Sequence, residues 1–114
     1  MNKDQDIGAI MNDIFSDGDT KLDYSVDNGV ITIFLPERVE STNADKLQKS
    51  IDKCIAASGC DDVIFDSTAT KYVSSAGLRV FMRVYKAHNS VKFVNLTEEV
   101  TEIFDITGFI DIFL

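Results

Sequence analysis

Two adjacent serines, Ser74 and Ser75, are the residues of this chain best placed to do chemistry. They follow the apolar run Val63-Ile64-Phe65, which reads as a buried strand. They precede an apolar-rich stretch from Leu78 to His88 that reads as a helix. A hydroxyl in the first turn of a helix lies near unpaired backbone N–H groups and the positive end of the helix dipole. A phosphate would be well held there. Serine is also a favoured N-cap, so either residue taken alone has a purely structural reading. Ala76 and Gly77 come next and are small enough to let the backbone turn tightly. Arg79 stands four residues beyond Ser75, and helical side chains lean back toward the N-terminus. Its guanidinium is therefore expected to reach a phosphate on Ser75 through a charge-assisted hydrogen bond.

Other chemistry finds little footing. The lone histidine, His88, falls at the end of the predicted helix, where a contact with the helix dipole explains it. It lies thirteen residues from Ser75 on that helix, about 20 Å at 1.5 Å per residue, too far to act as its base. No nucleophile elbow, phosphate-binding glycine loop or histidine metal motif is present. Cys54 and Cys60 are too few and wrongly spaced for zinc or a redox pair, and nothing in the sequence asks for a disulfide. The chain is expected to be no enzyme and to need no metal or cofactor. With 11 basic against 19 acidic residues its net charge is −8, which disfavours contact with nucleic-acid phosphates and anionic lipid. No apolar run suits a membrane span and no secretory signal opens the sequence, so a cytoplasmic protein is expected, with no nucleic-acid partner and no membrane insertion.

The elements that must position the serines follow from periodicity. Ile7, Ile10, Met11, Ile14 and Phe15 recur at helical spacing over residues 4–15, with Asp4 and Asp6 at the favourable end. This predicts an amphipathic helix, ended by Ser16-Asp17-Gly18-Asp19. Leu22, Tyr24 and Val26 alternate with polar residues, Asn28-Gly29 marks a tight turn, and Val30 to Leu35 is apolar, which together predict a β-hairpin closed by Pro36. Thr42 and Asp45 stand at capping-box spacing ahead of a helix whose inner face is Ala44, Leu47, Ile51, Cys54 and Ile55, ending at Gly59. The helix after the serines turns Leu78, Phe81, Met82 and Tyr85 inward, widened by Val80 and Val84. Val91 to Asn95 reads as a strand, Thr97 caps a helix that ends at Gly108, and Phe109 to Phe113 reads as a last short strand. Strands alternating with helices give an α/β domain whose mixed sheet has an antiparallel hairpin and is otherwise mostly parallel, with helices mainly on one face. The expected organisation is a helical extension over residues 1–18 and one domain over residues 19–114.

Strand, Asp66, polar loop, Tyr72-Val73, then Ser74-Ser75-Ala76-Gly77-Leu78-Arg79 together resemble the STAS domain of bacterial anti-sigma-factor antagonists, over roughly residues 21–114. The ending Phe104-Asp105-Ile106-Thr107-Gly108-Phe109 is similar to that family's as well. The resemblance implies that Ser75 is the phosphoacceptor, with Ser74 as a rival beside it where many members have Asp. It also implies that Glu40 and Asn43, from a loop similar to the family's Asp-x-x-Asn-Ala, are neighbours of the phosphosite, together with Asp66, Ala76 and Gly77. Ser67 and Thr70 stand where the family usually has apolar residues, a change expected to loosen the loop. The function implied is partner switching. The unphosphorylated form binds an anti-sigma factor that is often itself a serine kinase and so frees the sigma factor, phosphorylation separates the pair, and a serine phosphatase resets it. The alternatives are a STAS subunit of a lipid-transport ABC system, without phosphorylation, and a scaffold or ligand-binding STAS module. Many members carry one more helix after the last strand. The N-terminal amphipathic segment is expected to replace some of that cover, by packing on the sheet or by pairing two subunits in a homodimer.

Overall fold

The computed structural model describes residues 21–113, so the amphipathic helix predicted at residues 4–15 lies outside the described residues. The described chain runs β1 (Asp23–Asp27), β2 (Val30–Phe34), β3 (Arg38–Val39), α1 (Ala44–Ser58), β4 (Asp62–Asp66), β5 (Tyr72–Val73), α2 (Ser75–Ala87), β6 (Ser90–Val94), α3 (Glu98–Thr107) and α4 (Ile110–Phe113). Four strands form one sheet in the order β1-β2-β4-β6, and β3 pairs with β5 in a separate two-stranded ladder. β1 and β2 are antiparallel, while β2–β4 and β4–β6 are parallel. Asn28 and Gly29 both take left-handed φ, 51° and 78°, the backbone a two-residue hairpin turn requires. The expected mixed sheet is therefore present.

Period-two alternation decides which face is the core. Ile31, Val63 and Val91 align in one cross-strand row and Ile33, Phe65 and Phe93 in the next, and all six are buried. Ala44, Leu47, Ile51, Cys54 and Ile55 of α1 are buried in the same core, as their spacing predicts. On α2 the buried set is Leu78, Val80, Phe81 and Val84. Met82 is only half-buried and Tyr85 is exposed, so the inward face is centred between the two valines rather than on Met82 and Tyr85. Burial pushes the Cys54 thiol up to about 12, and both cysteines are free.

The C-terminal end corrects one expectation. Phe109 to Phe113 is not a strand: the amides of Ile112 and Phe113 both donate to the Phe109 carbonyl and Ile110–Phe113 is a helical turn. Phe109 and Phe113, four residues apart, lie on one helical side with ring centroids 5.8 Å apart. Phe113 is buried against Phe93 and Phe104, with centroids at 4.9 and 5.9 Å. A strand would alternate the aromatic pair with Ile110 and Ile112 equally well, so period alone did not separate the two. What separates them is the aromatic cluster, which the helical turn closes.

Candidate functional site

The parallel strands β2 and β4 both deliver their chain to the same end of the sheet, and the loops that follow them meet there. The Lys71 amide donates to the Glu37 carbonyl at 2.8 Å, β3 and β5 pair Arg38 with Tyr72 and Val39 with Val73, and the Ser74 amide donates to the Val39 carbonyl at 2.9 Å. This short ladder fixes the backbone just ahead of α2. Val39 and Val73 point inward and are buried, while Arg38 and Tyr72 point out, with the guanidinium 4.9 Å from the ring centroid. Arg38 also forms an ion pair with Glu40. Tyr72 entered the sequence reading only as part of the motif and Arg38 not at all, because a two-residue parallel ladder between distant loops leaves no periodic signal.

Ser74 and Ser75 differ once placed. Ser74 is the N-cap of α2, with extended backbone and half-buried, and its hydroxyl accepts from the Gly77 amide at 3.4 Å. Ser75 is the first helical residue and is exposed. Its hydroxyl therefore sits in the first turn, where backbone N–H groups lack helical partners and the dipole favours an anion. Ala76 is half-buried against the core. Arg79 is exposed and one turn along from Ser75 in the same helix.

Gly77 corrects another expectation. It lies inside the first turn of α2 and does not serve to turn the chain. Its role is close approach. A Cβ there would meet the Val39 carbonyl oxygen at 2.6 Å, Val39 Cγ1 at 2.8 Å and Val73 Cγ1 at 3.0 Å, so the ladder and the helix fit together only over a hydrogen.

The loop before α1 completes the group. The Asn43 side chain accepts from the Glu40 amide at 2.9 Å and donates to the Arg38 carbonyl at 2.8 Å. The expected Thr42–Asp45 capping box does not form. Asn43 is the N-cap residue, and its side chain is turned back to the Arg38–Glu40 strand end instead of forward to the helix. Glu40 and Asn43 are thus tied to the same β3 segment that holds Ser74. Asp66 is not tied to them: its carboxylate accepts from the Thr68 amide and hydroxyl and from the Asn95 side chain. Burial raises its carboxyl, but those hydrogen bonds outweigh this and hold it below the ordinary carboxylate range.

The loop between β4 and β5 is tight, not loosened by its polar residues. Thr70 is buried, its hydroxyl donates to the Pro36 carbonyl at 2.9 Å, and its own carbonyl accepts from the Thr97 hydroxyl at 2.6 Å. Ser67 is also buried, with its amide on the Val94 carbonyl. The Thr70 and Thr97 hydroxyls link three loops here, whereas the buried Ser67 hydroxyl has no hydrogen-bond partner among the described residues. His88 lies at the other end of α2, bonded to Asp61 at 3.0 Å. A cavity of about 700 Å³ lined by Leu96, Glu98, Thr101, Glu102, Asp105 and Ile110 shares no residue with the serine group. Among the described residues no cluster of three or more His, Cys, Asp and Glu is arranged to hold a metal ion, and no helix is long and apolar enough to cross a membrane.

Comparison with known proteins agrees with this fold. BtrV of Bordetella bronchiseptica, a candidate anti-sigma factor antagonist, is 33% identical over 97 residues, covering 82% of this chain and 83% of its own. An anti-sigma factor antagonist of Mycobacterium paratuberculosis has the same fold, with a TM-score of 0.71 at 18% identity over 87% of each chain. The antagonist SpoIIAA also shares the fold. Its unphosphorylated form gives a TM-score of 0.60 at 15% identity over 76% of this chain and 80% of that one. Its phosphorylated Bacillus form gives 0.56 at 13% identity, over 76% and 83%. The STAS-domain sequence profile matches residues 21–114, and with the mixed sheet and the α2 serine motif in place the chain belongs to the STAS domain family.

Proposed function

We propose that this protein is an anti-sigma factor antagonist that works by partner switching, with Ser75 as the phosphoacceptor. The observation that carries the reading is the contrast between the two serines: the Ser74 hydroxyl is spent on the helix cap, whereas Ser75 is exposed in the first turn of α2. The relative BtrV supports the class of function, and SpoIIAA, solved in a phosphorylated form, shares the fold. In this reading the unphosphorylated chain docks on an anti-sigma factor that is also a serine kinase, through the surface around Ser75, the first turn of α2 and the Arg38–Asn43 loop. The kinase supplies ATP and the base, and a serine phosphatase later resets the switch. All three act in the cytoplasm.

Charge explains why one phosphate suffices. Phosphorylation adds about −1.5 to −2 charges and three strong acceptor oxygens. At a helix N-terminus, with Arg79 one turn on, that charge is tolerated by the free protein. In a closed interface without a cationic partner the same charge is expensive, so the complex separates while the domain stays folded.

The test uses the purified chain and a serine-kinase anti-sigma protein captured with it from its native lysate, with ATP and mass mapping of the modified peptide. We expect one phosphate on Ser75, retained in Ser74→Ala and absent from Ser75→Ala. Ser75→Ala should still bind the kinase, and Ser75→Glu should bind at least tenfold more weakly. Equal binding by the alanine and glutamate variants would refute the switch and leave Ser75 as an ordinary first-turn residue.

A further inference from the structure

The sheet has a second face that the described helices leave open. Its outward residues form three cross-strand rows: Asp23, Phe34, Asp66 and Val94; Ser25, Thr32, Ile64 and Lys92; Asp27, Val30, Asp62 and Ser90. Phe34 and Val94 are 42% and 37% exposed, and Val30, Thr32 and Ile64 are half-buried. Phe34, Val30 and Val94 each lie diagonal to Ile64 and form with it an apolar patch, broken by Thr32 and by Asp66, which stands between Phe34 and Val94.

We propose that the occupant is this chain's own N-terminal segment, residues 4–15, laid across the outer face over Phe34, Ile64, Thr32 and Val94. The apolar residues Ile7, Ile10, Met11, Ile14 and Phe15 fall within one arc of about 140° when wound as a helix, a width suited to lying on a surface. Twelve helical residues are about 18 Å long. The four strands span about 14 Å at roughly 4.8 Å per interval. The point of entry also matches. The chain reaches the sheet at β1, whose Asp23 is paired with Phe34, in the row that holds both exposed apolar residues. Residues 16–21 can extend to about 20 Å, enough to return from that edge across the sheet. A tether this short gives the segment an effective concentration in the millimolar range, so a modest apolar contact is enough to hold it.

A second copy of the chain fits the patch less well. Face-to-face pairing would bring together Asp23, Asp27 and Asp62 from two molecules, each with a net charge of −8. The segment carries fewer carboxylates: Asp6 and Asp13 fall outside its apolar arc, and Asp4, its first residue, falls between Met11 and Phe15.

The experiment is a deletion cycle with a direct readout of the segment. Residues 1–17 are removed from the native chain and from a Phe34→Lys/Val94→Lys variant, whose substitutions are on exposed positions. The deletion should lower Tm by several degrees in the native background and leave it almost unchanged in the variant. Hydrogen exchange of residues 7–15 should be slowed at least tenfold in the full chain relative to the isolated peptide. That protection should vanish in the lysine variant and be independent of protein concentration. An equal Tm loss in both backgrounds, no protection, or protection that rises with concentration alongside a dimer mass in light scattering would each overturn the proposal, the last in favour of a second copy.

Discussion

Ser74 and Ser75 carry the same side chain at adjacent positions, and a difference of one helical position separates a capping hydroxyl from an exposed one. Gly77 matters at the same scale. Gly77→Ala places a methyl 2.6 Å from the Val39 carbonyl oxygen, a backbone atom that cannot swing aside, so α2 must move off the β3–β5 ladder. Overpacking of this kind costs about 1–3 kcal/mol, which a urea melt would register as a lower midpoint at unchanged slope. A midpoint equal to the native one would mean that the contact yields freely. Asp66 gives a prediction in pH. Its folded carboxyl titrates below the ordinary value of about 3.9, so its contribution to stability is complete above that pH and is lost as pH falls through the folded value. Asp66→Asn should therefore be less stable than the native chain at neutral pH, and the two should converge in urea melts as pH drops from about 4 toward 2. Parallel curves across that window would show that the Thr68 and Asn95 bonds are not selective for the carboxylate.

Long elements with a strong period were legible from sequence, and short ones were not. The hairpin was set by Asn28-Gly29, and the buried face of α1 by Ala44, Leu47, Ile51, Cys54 and Ile55, each an instance of local chemistry with a fixed repeat. The β3–β5 ladder has two residues per strand and joins loops more than thirty positions apart, so it exists only because β2 and β4 are parallel and end side by side. The Asn43 bonds to Arg38 and Glu40 depend on that ladder, which is why a forward capping box was expected in their place. The last element failed for a different reason, since four residues cannot distinguish periods of two and 3.6. Its helical form predicts that Phe113, with ring contacts to Tyr85, Phe93, Phe104 and Phe109, acts as a core residue. Phe113→Ala should cost about 3 kcal/mol, the lower part of the usual range for buried aromatics, and Asp111→Ala close to nothing. Equal, small effects in chemical denaturation would show that the C-terminal turn is not part of the cooperative core.

At the scale of the whole molecule, one apolar face of a four-stranded sheet is closed by helices, and the polar ends of its parallel strands gather the loops that carry Glu40, Asn43 and Ser74. Sequence alone determined the class of fold, the inward residues of the long elements apart from Met82 and Tyr85 of α2, the acidic character and the serine pair worth attention. These rest on composition, on period and on backbone preferences that act within a few residues. Tertiary structure alone decided which serine is capped and which is free, why Gly77 must be glycine, that Thr70 ties loops together, and that Asp66 is bonded away from the Glu40–Asn43 group. Each of these depends on atoms far apart in the chain being brought within a few ångströms, a distance that strand order and register set and that no local pattern of residues encodes.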